Sequence, residues 1–60
     1  MRDLVGQIMA YESGELEHVE VVELFQALID SGLAYQLQGS YGRTASDLIR
    51  QGICEPRQVN

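Results

Sequence analysis

Apolar side chains recur every three or four positions along most of this chain, and glycines stand where each such stretch stops, a pattern that predicts an all-α protein. Leu4, Val5, Ile8, Met9 and Tyr11 line one side of a first helix over about residues 3–12, with Ser13-Gly14 as its stop. Gly6 inside that helix costs about 1 kcal/mol relative to Ala, so the helix is expected to form only when packed. The second stretch, residues 17–31, is the clearest: at 100° per residue Val21, Val22, Leu24, Phe25, Leu28 and Ile29 share an arc of about 160° and form the predicted core face. Glu20, Glu23, Gln26, Ala27 and Asp30 lie opposite, with Val19 among them.

Gly32 follows Ser31 in the position of a left-handed helix cap, and Leu33 can fold back onto Leu28. The segment Leu28 to Ala34 aligns with Leu48 to Cys54, so a second closure is expected between Leu48 and Ile53 around Gly52. Two copies are too few for a stacked repeat array, and the likeness is one of capping. Thr44-Ala45-Ser46-Asp47 has the spacing of a capping box and predicts a third helix over 45–51. Residues 33–38 are expected to make a short helical turn, broken by Gly39-Ser40-Tyr41-Gly42. No alternating apolar run suggests a strand. The expected fold is a small bundle of three main helices in one domain, residues 1–54, with a flexible tail at 55–60 around Pro56.

Sixty residues allow one domain, and a chain of that size buries only about 60% of the surface its unfolded form exposes. One Cys and one His exclude an internal disulfide and a closed zinc site, so packing or self-association must hold the fold. No apolar run approaches the ~20 residues needed to cross a bilayer, and the opening Met-Arg-Asp-Leu-Val has no secretory segment, so a reducing cytoplasm is expected, with Cys54 a thiol.

Charge changes the picture most. Asp3, Glu12, Glu15, Glu17, Glu20, Glu23 and Asp30 fall between Asp3 and Gly42 without one Lys or Arg, and the net charge is −5. Such a field favours basic partners and disfavours nucleic-acid phosphates and anionic membrane. The plain account of the acids is the solvated face of an amphipathic helix. That account leaves the missing Lys unexplained, because ordinary exposed helices use Glu-Lys pairs four apart. Both readings stand at this point.

No catalytic set is legible. His18 has only glutamates beside it, and Glu15, Glu17, His18 and Glu20 do not converge on a cation from one helix start, so neither enzyme nor metal site is expected. Gly39 and Gly42 precede no phosphate-loop signature, and no cofactor is implied. Cys54 and Met9 are read as core. Tyr35, Gln36, Gln38, Ser40 and Tyr41 make an uncharged polar-aromatic segment ending at Arg43, of the residue types enriched in binding hot spots. At least one of Tyr35 and Tyr41 is expected to finish the core instead, its hydroxyl reaching the surface.

Residues 23–45, LFQALIDSGLAYQLQGSYGRTA after Glu23, resemble a family of short uncharacterised proteins of tailed bacteriophages, with a weaker likeness over Ala10 to Leu16. Here the second helix opens on Glu17-His18, not a standard N-cap. The resemblance implies a phage protein in the cytoplasm of an infected bacterium and assigns no site residues. With the charge pattern it suggests a non-enzymatic protein that binds, and modulates or inhibits, a larger host or phage protein with a basic surface. The candidate contacts are Glu20, Glu23, Gln26 and Asp30 on the second helix, and Tyr35, Gln36, Gln38, Tyr41 and Arg43 beyond it. Two alternatives remain: a helix-turn-helix-like DNA-binding protein, against which the charge argues, and a homo-oligomeric assembly protein.

Overall fold

Three α-helices wrap one aromatic-aliphatic core in the computed structural model, which describes residues 4–37 and 39–57: α1 (Leu4–Glu12), α2 (His18–Ser31) and α3 (Ser40–Arg50), with a 3-10 turn, Leu33–Tyr35, between the last two. No strand occurs among the described residues. Asp3 and Gln38, which the sequence places in the first helix and in the turn, lie outside them.

α2 is the central element because its apolar arc is the widest and least interrupted. Leu24, Phe25, Leu28 and Ile29 are fully buried, and Val21 and Val22 flank them half-buried. Three rings join the helices: Tyr11 of α1 meets Phe25 of α2 edge-on at 5.3 Å, and Tyr41 of α3 stacks on Phe25 at 5.9 Å and lies 5.8 Å from Tyr11. Ala34, Ala45 and Cys54 close the remaining sides of the core.

All three helices end on a glycine in the left-handed region, Gly14, Gly32 and Gly52, with φ of 74°, 82° and 79°. After α1, Glu15 N–H donates to Ala10 O and Gly14 N–H to Tyr11 O; after α3, Ile53 N–H donates to Leu48 O and Gly52 N–H to Ile49 O. Both are Schellman closures. After α2, Gly32 N–H donates to Ile29 O at 3.1 Å, while Leu33 N–H donates to Ser31 Oγ, which donates to Leu28 O. A serine hydroxyl thus bridges that closure. At the other end of α2, Glu17 is the N-cap, and the Glu20 carboxylate accepts from Glu17 N–H at 3.1 Å.

Three expectations are corrected. The third helix begins at Ser40, not Ala45, so Thr44 lies within it and makes no cap, and the break expected at Gly39 to Gly42 ends at Gly39, with Gly42 inside the helix. Burial of Tyr41 and Ala45, four apart on one face, outweighs the local cost of glycine there. Gly42 allows the close approach: a Cβ on it would lie 3.6 Å from Ala34 O and 3.9 Å from the Tyr35 ring. Met9 and Val5 are not core; they stand 63% and 66% exposed while Leu4, Ile8 and Tyr11 face inward. The second closure buries Cys54 in place of Ile53, which is 41% exposed. The short helical turn expected over 33–38 is present, as a single 3-10 turn at Leu33–Tyr35.

Candidate functional site

Two surfaces carry the candidate residues. The first is the outward stripe of α2, set by the same 100° periodicity that buries Leu24 and Leu28: Val19, Glu23, Ala27 and Asp30 are exposed along it. Glu20 lies at its edge, half-buried and engaged in the cap of its own helix. Gln26, at the other edge, is a structural residue. Its Nε2 donates to Glu55 O at 3.1 Å and to Asp30 Oδ1 at 3.0 Å, and its Oε1 accepts from Glu55 N–H at 2.8 Å. The side-chain amide therefore pairs with both backbone groups of Glu55, as a neighbouring strand would. This holds the segment that leads Cys54 into the core. Arg57, the last described residue, carries its guanidinium over Gly32, 2.9 Å from where a Cβ would stand. There it faces the carbonyl end of α2, where the helix dipole favours a cation.

The second surface is the 3-10 turn with the first turns of α3. Tyr35 is 56% exposed, Gln36 and Arg43 are exposed beside it, and the Arg43 guanidinium folds back toward Gly39. Tyr41 departs from this group: it is 8% exposed, and its hydroxyl donates to Glu12 Oε2 at 2.7 Å. Of the tyrosine pair, Tyr41 completes the core and Tyr35 faces outward. Gln38 lies outside the described residues. The Tyr41–Glu12 bond crosses from α3 to α1 and floors a groove of about 400 Å³ lined also by Ile8, Leu37 and Ser40. The sequence shows Glu12 only as one of the seven acids between Asp3 and Gly42. Its position at the end of α1, with Tyr41 in the core, becomes meaningful only when the two helices are packed.

Burial pushes the Tyr41 phenol up, and the Glu12 hydrogen bond and charge add to it, to about 12. Because the neutral form is the one the fold stabilises, this contribution is complete below the unfolded value of about 10 and is lost as pH rises from about 10 to about 12. The urea midpoint should therefore fall over that alkaline window, and Tyr41→Phe should flatten the fall while lowering the midpoint at neutral pH. Parallel declines in the two proteins would show that Tyr41 is not the responsible group. Burial and the Asp30 charge also push the Cys54 thiol up, which keeps it protonated, with Sγ 3.7 Å from Val22 O.

Among the described residues no three His, Cys, Asp or Glu side chains are grouped to hold a metal ion, and no buried side-chain polar atom lacks a partner. No helix among them is long and apolar enough to cross a membrane. On α3, Arg50 pairs with Asp47 one turn away.

A family model described as a domain of unknown function, DUF7417, matches residues 1–59. Comparisons with curated proteins and with solved structures give no match.

Proposed function

We propose a function on one premise: the chain belongs to the DUF7417 family, whose domain is of unknown function. It is a phage-encoded, non-enzymatic protein that binds a larger host or phage protein with a basic surface and modulates or inhibits it. The observation that carries this reading is the outward stripe of α2. Glu23 and Asp30 stand exposed there beside Val19 and Ala27, within a run from Asp3 to Gly42 that contains no Lys or Arg. A helix face that alternates carboxylates with small apolar side chains offers steering by charge and a dry contact at its centre. Asp47 against Arg50 weakens the DNA-binding alternative, because α3 is the helix that would meet phosphates.

The double variant Glu23→Lys with Ala27→Lys tests the reading. Both positions are exposed, Lys is a good helix former, and neither residue takes part in a cap or in the Gln26 clamp. Tagged wild-type protein should retain a reproducible basic partner from host extract, and the double variant should recover at least about tenfold less, equivalent to ~1.4 kcal/mol. If the double variant binds normally while Tyr35→Ala with Arg43→Ala loses the partner, the contact belongs to the second surface. Normal recovery by both would remove protein binding through either face.

A further inference from the structure

We propose that residues 54–57 form a latch that opens while the helices stay folded, and that the side chain of Gln26 sets how often it opens and thereby gates access to the Cys54 thiol. The segment starts where α3 can no longer supply bonds. Gly52 turns the chain out of the helix at a φ of 79°, and Pro56 has no N–H and disfavours the helical region for Glu55 before it. Glu55 therefore has no helical partner for its backbone groups, and one side chain serves both. Gln26 Oε1 accepts from Glu55 N–H at 2.8 Å, and Gln26 Nε2 donates to Glu55 O at 3.1 Å.

Asp30 fixes the sense of that pairing. A carboxylate only accepts, so Asp30 Oδ1, 3.0 Å from Gln26 Nε2, keeps the amide nitrogen toward Glu55 O and the amide oxygen toward Glu55 N–H. Inverting the amide would set two acceptors together at Glu55 O and two donors together at Glu55 N–H.

Anchorage falls off along the segment. Ile53 N–H and Cys54 N–H both donate to Leu48 O, at 2.9 and 3.0 Å, and tie its start to α3. Cys54 is 2% exposed, whereas Glu55, Pro56 and Arg57 are all exposed, so one thiol is the buried anchor of residues 54–57. A cavity of about 340 Å³ lined by Gln26, Asp30, Glu55 and Pro56 opens beside the clamp and leaves that flank unpacked. α2, by contrast, is held by four fully buried side chains, Leu24, Phe25, Leu28 and Ile29. Segments with few buried apolar groups and water-accessible hydrogen bonds open locally, ahead of global unfolding, and the latch fits that description where α2 does not. On opening, Cys54 Sγ leaves Val22 O, 3.7 Å away when closed, and meets solvent. The latch is independent of the partner proposed above.

Reaction of Cys54 in the full chain with excess dithiobis(nitrobenzoate), followed against urea concentration, tests this. The Cys54 thiolate attacks one sulfur of the reagent, a mixed disulfide forms, and a coloured aryl thiolate leaves. In wild type the rate should lie at least about a hundredfold below that of the urea-unfolded chain and stay flat at low urea, because opening a few residues exposes little surface. Gln26→Ala should raise that flat portion at least about tenfold, as the loss of two hydrogen bonds implies. Tyr41→Phe removes the bond from α3 to Glu12 and nothing of the latch, so it should lower the urea midpoint and leave the flat portion within about twofold of wild type. Should Gln26→Ala lose its helical circular dichroism, Gln26→Glu replaces it. That variant keeps the acceptor but not the donor to Glu55 O, and should raise the flat portion at least about threefold. A wild-type rate that climbs steeply from the lowest urea concentration overturns the proposal, because the thiol then appears only on global unfolding. So does a wild-type rate within about tenfold of the unfolded chain, a Gln26 variant that reacts as wild type does, or a flat portion that Tyr41→Phe raises as much as Gln26→Ala.

Discussion

Phe25→Ala should leave the protein largely unfolded at 37 °C. Phe25 is fully buried at the centre of the fold, with the Tyr11 ring edge-on to it and the Tyr41 ring stacked on it, so one truncation removes the shared partner of α1 and α3. Phe→Ala changes in packed cores cost about 3–5 kcal/mol, and a chain of this length has roughly 3–9 kcal/mol in total at the usual stability per residue. The cavity cannot easily collapse, because Leu24, Leu28 and Ile29 around it are already fixed in the core. Thermal denaturation followed by circular dichroism provides the measurement. Val19→Ala, exposed on the same helix, should stay within about 0.5 kcal/mol of wild type. If Phe25→Ala melts within a few degrees of wild type, the three-ring core is not what holds the helices together.

Gly32→Ala is expected to be the most costly of the three helix-cap glycine substitutions. An alanine at a left-handed φ costs about 1–2 kcal/mol at any of the three. At Gly14 and Gly52 a new Cβ meets nothing within 4 Å, whereas at Gly32 it meets the Arg57 guanidinium at 2.9 Å. Gly32 is also buried, and it links α2 directly to the 3-10 turn that carries Ala34 into the core. The variant must swing the tip of the exposed Arg57 side chain away from the end of α2, and it loses that cation's position beside the last carbonyls. Denaturant titration should rank Gly32→Ala below Gly14→Ala and Gly52→Ala in stability. Equal losses at all three would reduce the effect to local backbone strain. If Gly32→Ala alone costs nothing, the left-handed cap has no energetic role.

Legibility in the sequence varied with how one-sided each helix is. On α2 the polar residues fill a single wide arc, which leaves one orientation for the apolar face, and both the core residues and the exposed stripe follow from spacing. On α1 apolar side chains occur on both sides, Leu4 and Ile8 on one, Val5 and Met9 on the other. Periodicity cannot choose between them, and the choice was made by where the Tyr11 ring reaches Phe25. For α3 the local signals pointed the wrong way. Gly39 and Gly42 read as breakers and Thr44 as a cap, yet burying Tyr41 against Phe25 carries the helix back to Ser40. The spacing of Tyr41, Ala45 and Leu48 was the available clue.

The candidate surfaces divide in the same way. Exposure of Glu23 and Asp30 was legible because it depends only on the rotation of one helix. The roles of Gln26, Glu12 and Tyr41 were not, because each is defined by a group 29 positions away: Gln26 with Glu55, and Glu12 with Tyr41.

From the order of its residues alone this protein is helical, acidic along one helix and stopped by glycine at each helix end, since propensity, charge and left-handed caps act within a few positions. The starting point of α3, the side of α1 that faces water, the burial of Tyr41 and the clamping of Gln26 onto Glu55 were settled by contacts between distant segments. Burial of an aromatic ring or satisfaction of a backbone pair there outweighs the fraction of a kcal/mol by which local preference differs.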